Sequence, residues 1–105
     1  MLTSKSIISV LMLQQALSDV EIKVEILNKL MRRGCWGAKY LPLDTLINWL
    51  SKKVKKDGKR IRKIIIKLVE EGYLLLHKNG KTISLNPNKN REIIDYIERR
   101  LNINL

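Results

Sequence analysis

Apolar residues recur along this chain mostly at helical spacing, with one stretch that switches to the period of a strand. Ile7, Val10, Leu11, Leu13 and Leu17 give residues 1–17 a broad apolar side, which predicts a helix packed on the domain or on a partner. Ser18-Asp19-Val20-Glu21 has the spacing of a capping box and predicts the start of the next helix. The stretch "VEIKVEI" that follows alternates like a strand, but the alternation breaks at Ile26-Leu27. Val20, Val24, Leu27, Leu30 and Met31 form a helical stripe instead, with Arg32-Arg33 in the last turn and Gly34 after it. Ile22 and Ile26 then lie on a second side. The N-terminal segment, the C-terminal helix or a second subunit is expected to cover that side.

Residues 34–42 read as a loop leading into a short extended piece, Lys39–Leu41, before Pro42. Leu43, Leu46, Ile47, Leu50 and Val54 share one helical face, and Trp49 lies well off it. A turn at Asp57-Gly58 separates this helix from one over about 59–71. Ile61, Ile64, Ile65 and Leu68 form its inward stripe, Val69 lies at the edge, and Gly72 is placed as a left-handed cap. "YLLLHK" and "KTISLN" flank Asn79-Gly80, a strong hairpin signal. Pro87 closes the hairpin. Ile93, Ile94, Ile97 and Leu101 mark a last helix over about 88–101. The chain thus divides into an apolar extension (1–17), a central domain (18–87) and a C-terminal helix (88–105) that packs on the domain or on a partner.

Charge changes this picture. The 105 residues carry 21 Lys and Arg against 10 Asp and Glu, a net charge of +11. The excess is clustered: "KKVKKDGKRIRK", residues 52–63, holds eight basic residues in twelve positions. Such a balance points to a polyanion, nucleic acid before an acidic membrane surface. A solvated tail would have no apolar residues at helical intervals between its charges. Here stripe and charges interleave, which predicts a rigid cationic face. No segment approaches the ~20 apolar residues of a membrane-spanning helix, and the N-terminal apolar run is a poor secretion signal, so a cytoplasmic location is expected.

The order helix, short strand, helix, turn, helix, hairpin, helix is that of a winged helix-turn-helix. "LPLDTLINWLSKKVKKDGKRIRKIIIKLVEEGYLLLHKNGKTISLNP" resembles the small winged-helix DNA-binding proteins common in archaea, most closely in the step from "LVEEGYLL" into "HKNGKTISLNP". The resemblance spans about residues 19–87. It implies a mainly α (α+β) fold with a three-helix core, a two-stranded wing and a C-terminal helix. It also implies a double-stranded DNA partner, with the third helix in the major groove.

The residues then take roles. Lys52, Lys53, Lys55 and Lys56 are expected on phosphates, where they carry no sequence information. Lys59, Lys63 and Lys67 face outward with Ile66 and Glu70, and Arg60 and Arg62 lie on opposite flanks. Lys59 and Lys63 are the expected base-edge contacts, and either arginine could hold a guanine or a phosphate. Ile66 is expected to pack under the hairpin in preference to meeting a thymine methyl. Lys78, Asn79 and Lys81 form the wing tip, suited to the minor groove or its phosphates, and equally to guarding an exposed sheet edge. Lacking Asn, Gln and Ser in its first two turns, the third helix should read sequence modestly or through DNA shape.

Trp49, Ile22, Ile26, Ile93 and Ile97 are candidates for an interface, and a homodimer is expected because the apolar sides at residues 7–17, at Ile22 and Ile26 and at 93–101 exceed what one small domain needs. RNA is an open alternative partner, since charge alone does not separate it from DNA, and a protein-interaction module of a replication or transcription complex is another. Cys35 and His77 are each the sole residue of their type, so neither a disulfide nor a metal site is signalled and no cofactor is expected. No nucleophile-base pair, paired carboxylates or phosphate-cradling glycine loop appears, so binding is expected and catalysis is not.

Overall fold

The structure, a computed structural model, describes residues 18–52 and 58–102. The expectations for residues 1–17, for Val54 and for Lys53, Lys55 and Lys56 lie outside the described residues.

Helix α1 runs Asp19–Arg32. The Ser18 hydroxyl accepts from the Glu21 amide at 3.1 Å, and Ser18 N–H reaches back to the Glu21 carboxylate at 3.4 Å. The predicted capping box is therefore present. Gly34, at φ +67°, ends the helix with a pair of reversed bonds: Gly34 N–H to Met31 O and Cys35 N–H to Leu30 O, both 3.0 Å. The chain then adds the two-residue strand β1 (Leu41–Pro42), helix α2 (Leu43–Ser51) and helix α3 (Gly58–Glu70). Gly72, at φ +86°, repeats the same ending for α3, with Tyr73 N–H bonded to Leu68 O. Strands β2 (Leu74–His77) and β3 (Thr82–Leu85), a 3₁₀ turn (Pro87–Lys89) and helix α4 (Asn90–Asn102) follow. No described helix is long and apolar enough to cross a membrane.

The sheet is antiparallel in the order β1-β3-β2, so the predicted two-stranded hairpin gains a third strand. Leu41 pairs with Ile83 and Pro42 with Thr82, while Leu74 pairs with Leu85 and His77 with Thr82. Pro42 can belong to β1 because that strand lies at the sheet's edge, where a missing N–H leaves no ladder bond unmade. The hairpin connection also differs from the two-residue Asn79-Gly80 loop. The ladder stops at His77 and Thr82, and the carbonyl of His77 accepts from both Gly80 and Lys81 at 3.1 Å. Left-handed backbone begins one residue early, at Lys78 (φ 50°) and Asn79 (φ 58°), so residues 78–81 form a wider tip.

One core joins all the elements. Ile22, Ile26, Leu27 and Leu30 of α1 meet Leu46, Ile47 and Leu50 of α2, Ile61, Ile65 and Leu68 of α3, and Leu74, Ile83 and Leu85 of the sheet. Ile93 and Ile97 of α4 close the same core, so the C-terminal helix packs on the domain. This corrects the interface candidates. Ile22, Ile26 and Ile93 are fully buried and Ile97 nearly so, within this one chain. Burying each stabilises the fold by about 1.5–3 kcal/mol, and the fold uses them first. Helix α1 packs against α2, α3, α4 and β3 at once. A central helix is apolar on more than one side, which is why its second side resembled a spare surface. Val20, placed on the expected inward stripe, is exposed instead. Trp49 packs partly against the core, with the Arg33 guanidinium 4.3 Å from its ring centre and the Lys29 ammonium at 5.7 Å. Its own chain therefore covers much of it.

Candidate nucleic-acid interface

Helix α3 buries Ile61, Ile65 and Leu68, which turns Lys59, Arg62, Lys63, Ile66, Lys67 and Glu70 outward. All six are exposed. Their spacing of three and four residues makes them one continuous face. Ile66 is 53% exposed, so it does not pack under the hairpin as expected. The hairpin follows α3 but does not reach over its outer side.

The two arginines are held differently. Arg60 leans to the α1 side, where Asp19 lies 2.8 Å from Nη2 and 2.9 Å from Nε, a two-point hold on one carboxylate oxygen. Arg62 leans to the α2 side, 3.7 Å from Asp44, with both side chains largely in solvent. The opposite flanks are as expected, but Arg60 is a strut between α1 and α3 more than a reaching cation. The sequence analysis pairs neither Asp19 with Arg60 nor Asp44 with Arg62, because no local pattern links Asp19 to Arg60 across 41 positions. Lys52 is exposed at the end of α2.

Helix α2 connects this face to the hairpin. Its first turn carries Asp44 toward Arg62, and the N–H of Leu43 donates to Lys81 O at 2.9 Å. Lys78, Asn79 and Lys81 are all exposed at the tip. The N-terminal half of α3, the start of α2 and the tip therefore adjoin one another.

Beneath the tip, a hydrogen-bonded chain fixes the outer face of the sheet. The buried Ser84 hydroxyl donates to Gly37 O at 2.9 Å and lies 2.9 Å from His77 Nε2. A carbonyl only accepts, so the single Ser84 proton goes to Gly37 and His77 Nε2 must donate to Ser84. That sets the histidine tautomer. The His77 ring lies against Tyr40, centroids 5.0 Å apart and tilted 30°, and the Lys78 ammonium is 5.1 Å from the Tyr40 ring centre. On the same strand and face, Thr82 buries its Oγ1 with no hydrogen-bond partner among the described residues. Tyr40 was not singled out in the sequence. The signal was there in its position: two residues before Pro42, it falls on the strand face that carries Thr82 and Ser84.

Elsewhere the chemistry is quiet. Burial raises the Cys35 thiol above its ordinary value, against a smaller opposing pull from Arg33 and Lys39, so it remains a protonated small hydrophobe. No cluster of three His, Cys, Asp or Glu residues among those described could hold a metal. A hollow of about 190 Å³ between α1, α3 and α4 has both Lys23 and Lys67 and both Asp19 and Glu71 on its walls, a mixed lining that does not select an anion. No protein family, curated protein or solved structure matches the chain.

Proposed function

We propose that the protein binds double-stranded DNA without chemistry, as a transcriptional regulator built on a winged helix-turn-helix plan. Helix α3 lies in the major groove, and the hairpin tip rests on the minor groove or its phosphates. The observation that carries this reading is the conflict at the start of α3. The N-terminus of a helix is its positive end and favours acids. Helix α3 has no acid in its first turn, which carries Lys59 and Arg60, and Arg62 and Lys63 follow in the next turn. Such a local cost, of order 0.3–1 kcal/mol per misplaced charge, is removed when a polyanion docks against that end. The adjoining lysines of the tip extend the same field.

Duplex DNA fits better than RNA. The A-form major groove is too narrow and deep for a helix face to enter. Among the described aromatic residues only Tyr40 is exposed, and its ring is already engaged by His77 and Lys78, which leaves little for stacking single-stranded bases. Lys59 and Lys63 reach base edges or phosphates, Lys67 the adjoining backbone, and exposed Ile66 a thymine methyl. Replacing Lys59 and Lys63 together by alanine should weaken binding to random-sequence duplex by roughly tenfold or more in moderate salt, because two neutralised phosphates are lost. Unchanged affinity in an electrophoretic shift assay would remove α3 from the interface.

A further inference from the structure

We infer that Tyr40 is a positioning residue for Lys78, and that the two form a prearranged contact for a single phosphodiester of the DNA backbone beside the wing. This rests on the DNA-binding reading above. A lysine on a hairpin tip ordinarily keeps most of its rotamer freedom, and ordering it on a phosphate costs much of what the contact gains. Lys78 differs in three respects. Its backbone is left-handed, a conformation that a non-glycine residue holds only when its surroundings enforce it. Its ammonium is turned back to 5.1 Å from the Tyr40 ring centre. The ring is itself fixed, because His77 lies against it and is anchored through Ser84 to the backbone of Gly37.

The contact with the ring engages one side of the ammonium. The other N–H directions face solvent, since Lys78 is exposed. Tyr40 is 38% exposed, and its hydroxyl is a second donor on the same side of the sheet. An ammonium set 5.1 Å from the centre of a phenol ring brings two kinds of donor together for the non-bridging oxygens of one phosphate. Among the described cations of the proposed interface, Lys59, Lys63, Lys67 and Lys81 have no such aromatic support. They contribute charge, and Lys78 contributes charge at a set place, which fixes the wing's register on the duplex.

The test is a double-mutant cycle on the full chain, read by fluorescence anisotropy with a random-sequence DNA duplex over a range of salt. Lys78→Ala should weaken binding and reduce the salt slope by about 0.9. Tyr40→Ala should weaken binding about two- to fivefold when Lys78 is present and cost only what the hydroxyl adds in the Lys78→Ala background. Tyr40→Phe keeps the ring and should retain the coupling, losing only what the hydroxyl adds. Additive effects, or no effect of Tyr40→Ala, overturn the inference while duplex binding by the wild type preserves the functional reading. Failure of the wild type to bind duplex overturns both. Should Tyr40→Ala unfold the chain, proton shifts of the Lys78 methylenes decide the matter in the wild type. Shifts displaced upfield by the ring support the positioning, and undisplaced shifts contradict it.

Discussion

Thr82 and Ser84 are two residues apart on the same face of β3, and both bury a hydroxyl. Their situations are opposite. Ser84 donates to Gly37 and accepts from His77, whereas Thr82 Oγ1 has no partner among the described residues. A buried hydroxyl without a partner costs about 1–3 kcal/mol, and one that is fully engaged costs a similar amount to remove. Thr82→Val keeps the branched shape that strands favour and should raise unfolding stability by about 1 kcal/mol. Ser84→Ala should lower it by about 1–3 kcal/mol and loosen His77. Urea unfolding midpoints separate the two, and a loss on Thr82→Val would mean that its hydroxyl has a partner. At this scale the sequence was legible where a residue's role is local. Ser18, Gly34 and Gly72 could be placed from their neighbours in the chain, because caps are built from residues three or four apart. Ile66 could not. A helical period says which side it faces, but not whether the hairpin reaches it.

At the scale of elements, α3 was legible almost to its ends, since an amphipathic stripe between two glycine signals leaves one solution. Helix α1 was harder. Its buried set, Ile22, Ile26, Leu27 and Leu30, combines the two sides that the pattern kept apart, because α1 is contacted from several directions. The short strand before α2 was legible, but its place in the sheet was not. Leu41–Pro42 is too short to show a period, and its pairing with Ile83 and Thr82 joins residues about forty positions apart. The charge conflict of α3 yields a prediction that belongs to this scale. Lys59→Glu puts an acid where the helix dipole favours one, and should stabilise the fold by about 0.3–1 kcal/mol. The same change should weaken duplex binding, because it turns an attracted charge into a repelled one. Thermal melts and anisotropy on one variant measure both. Opposite signs are expected for a face kept basic for binding, and a fall in both would mean that Lys59 serves the fold.

For the whole molecule, net charge was readable from composition, but its arrangement was not. Asp19 holds Arg60 on one flank of α3 and Asp44 lies 3.7 Å from Arg62 on the other, pairings between residues distant in sequence. The first turn of α2 brings that face next to the hairpin tip through the bond from Leu43 to Lys81. Of the apolar residues that suggested a second subunit, Ile22, Ile26, Ile93 and Ile97 are buried inside this chain. The central claim is that the α3 face and the tip form one surface for duplex DNA. Its most direct test is anisotropy with a random-sequence DNA duplex and the matching RNA duplex, each over a range of salt. Tighter binding to DNA is expected, with log K falling against log salt at a slope of about −5, as for about six neutralised phosphates. A slope near zero, absence of duplex binding, or equal or tighter binding to RNA would contradict it.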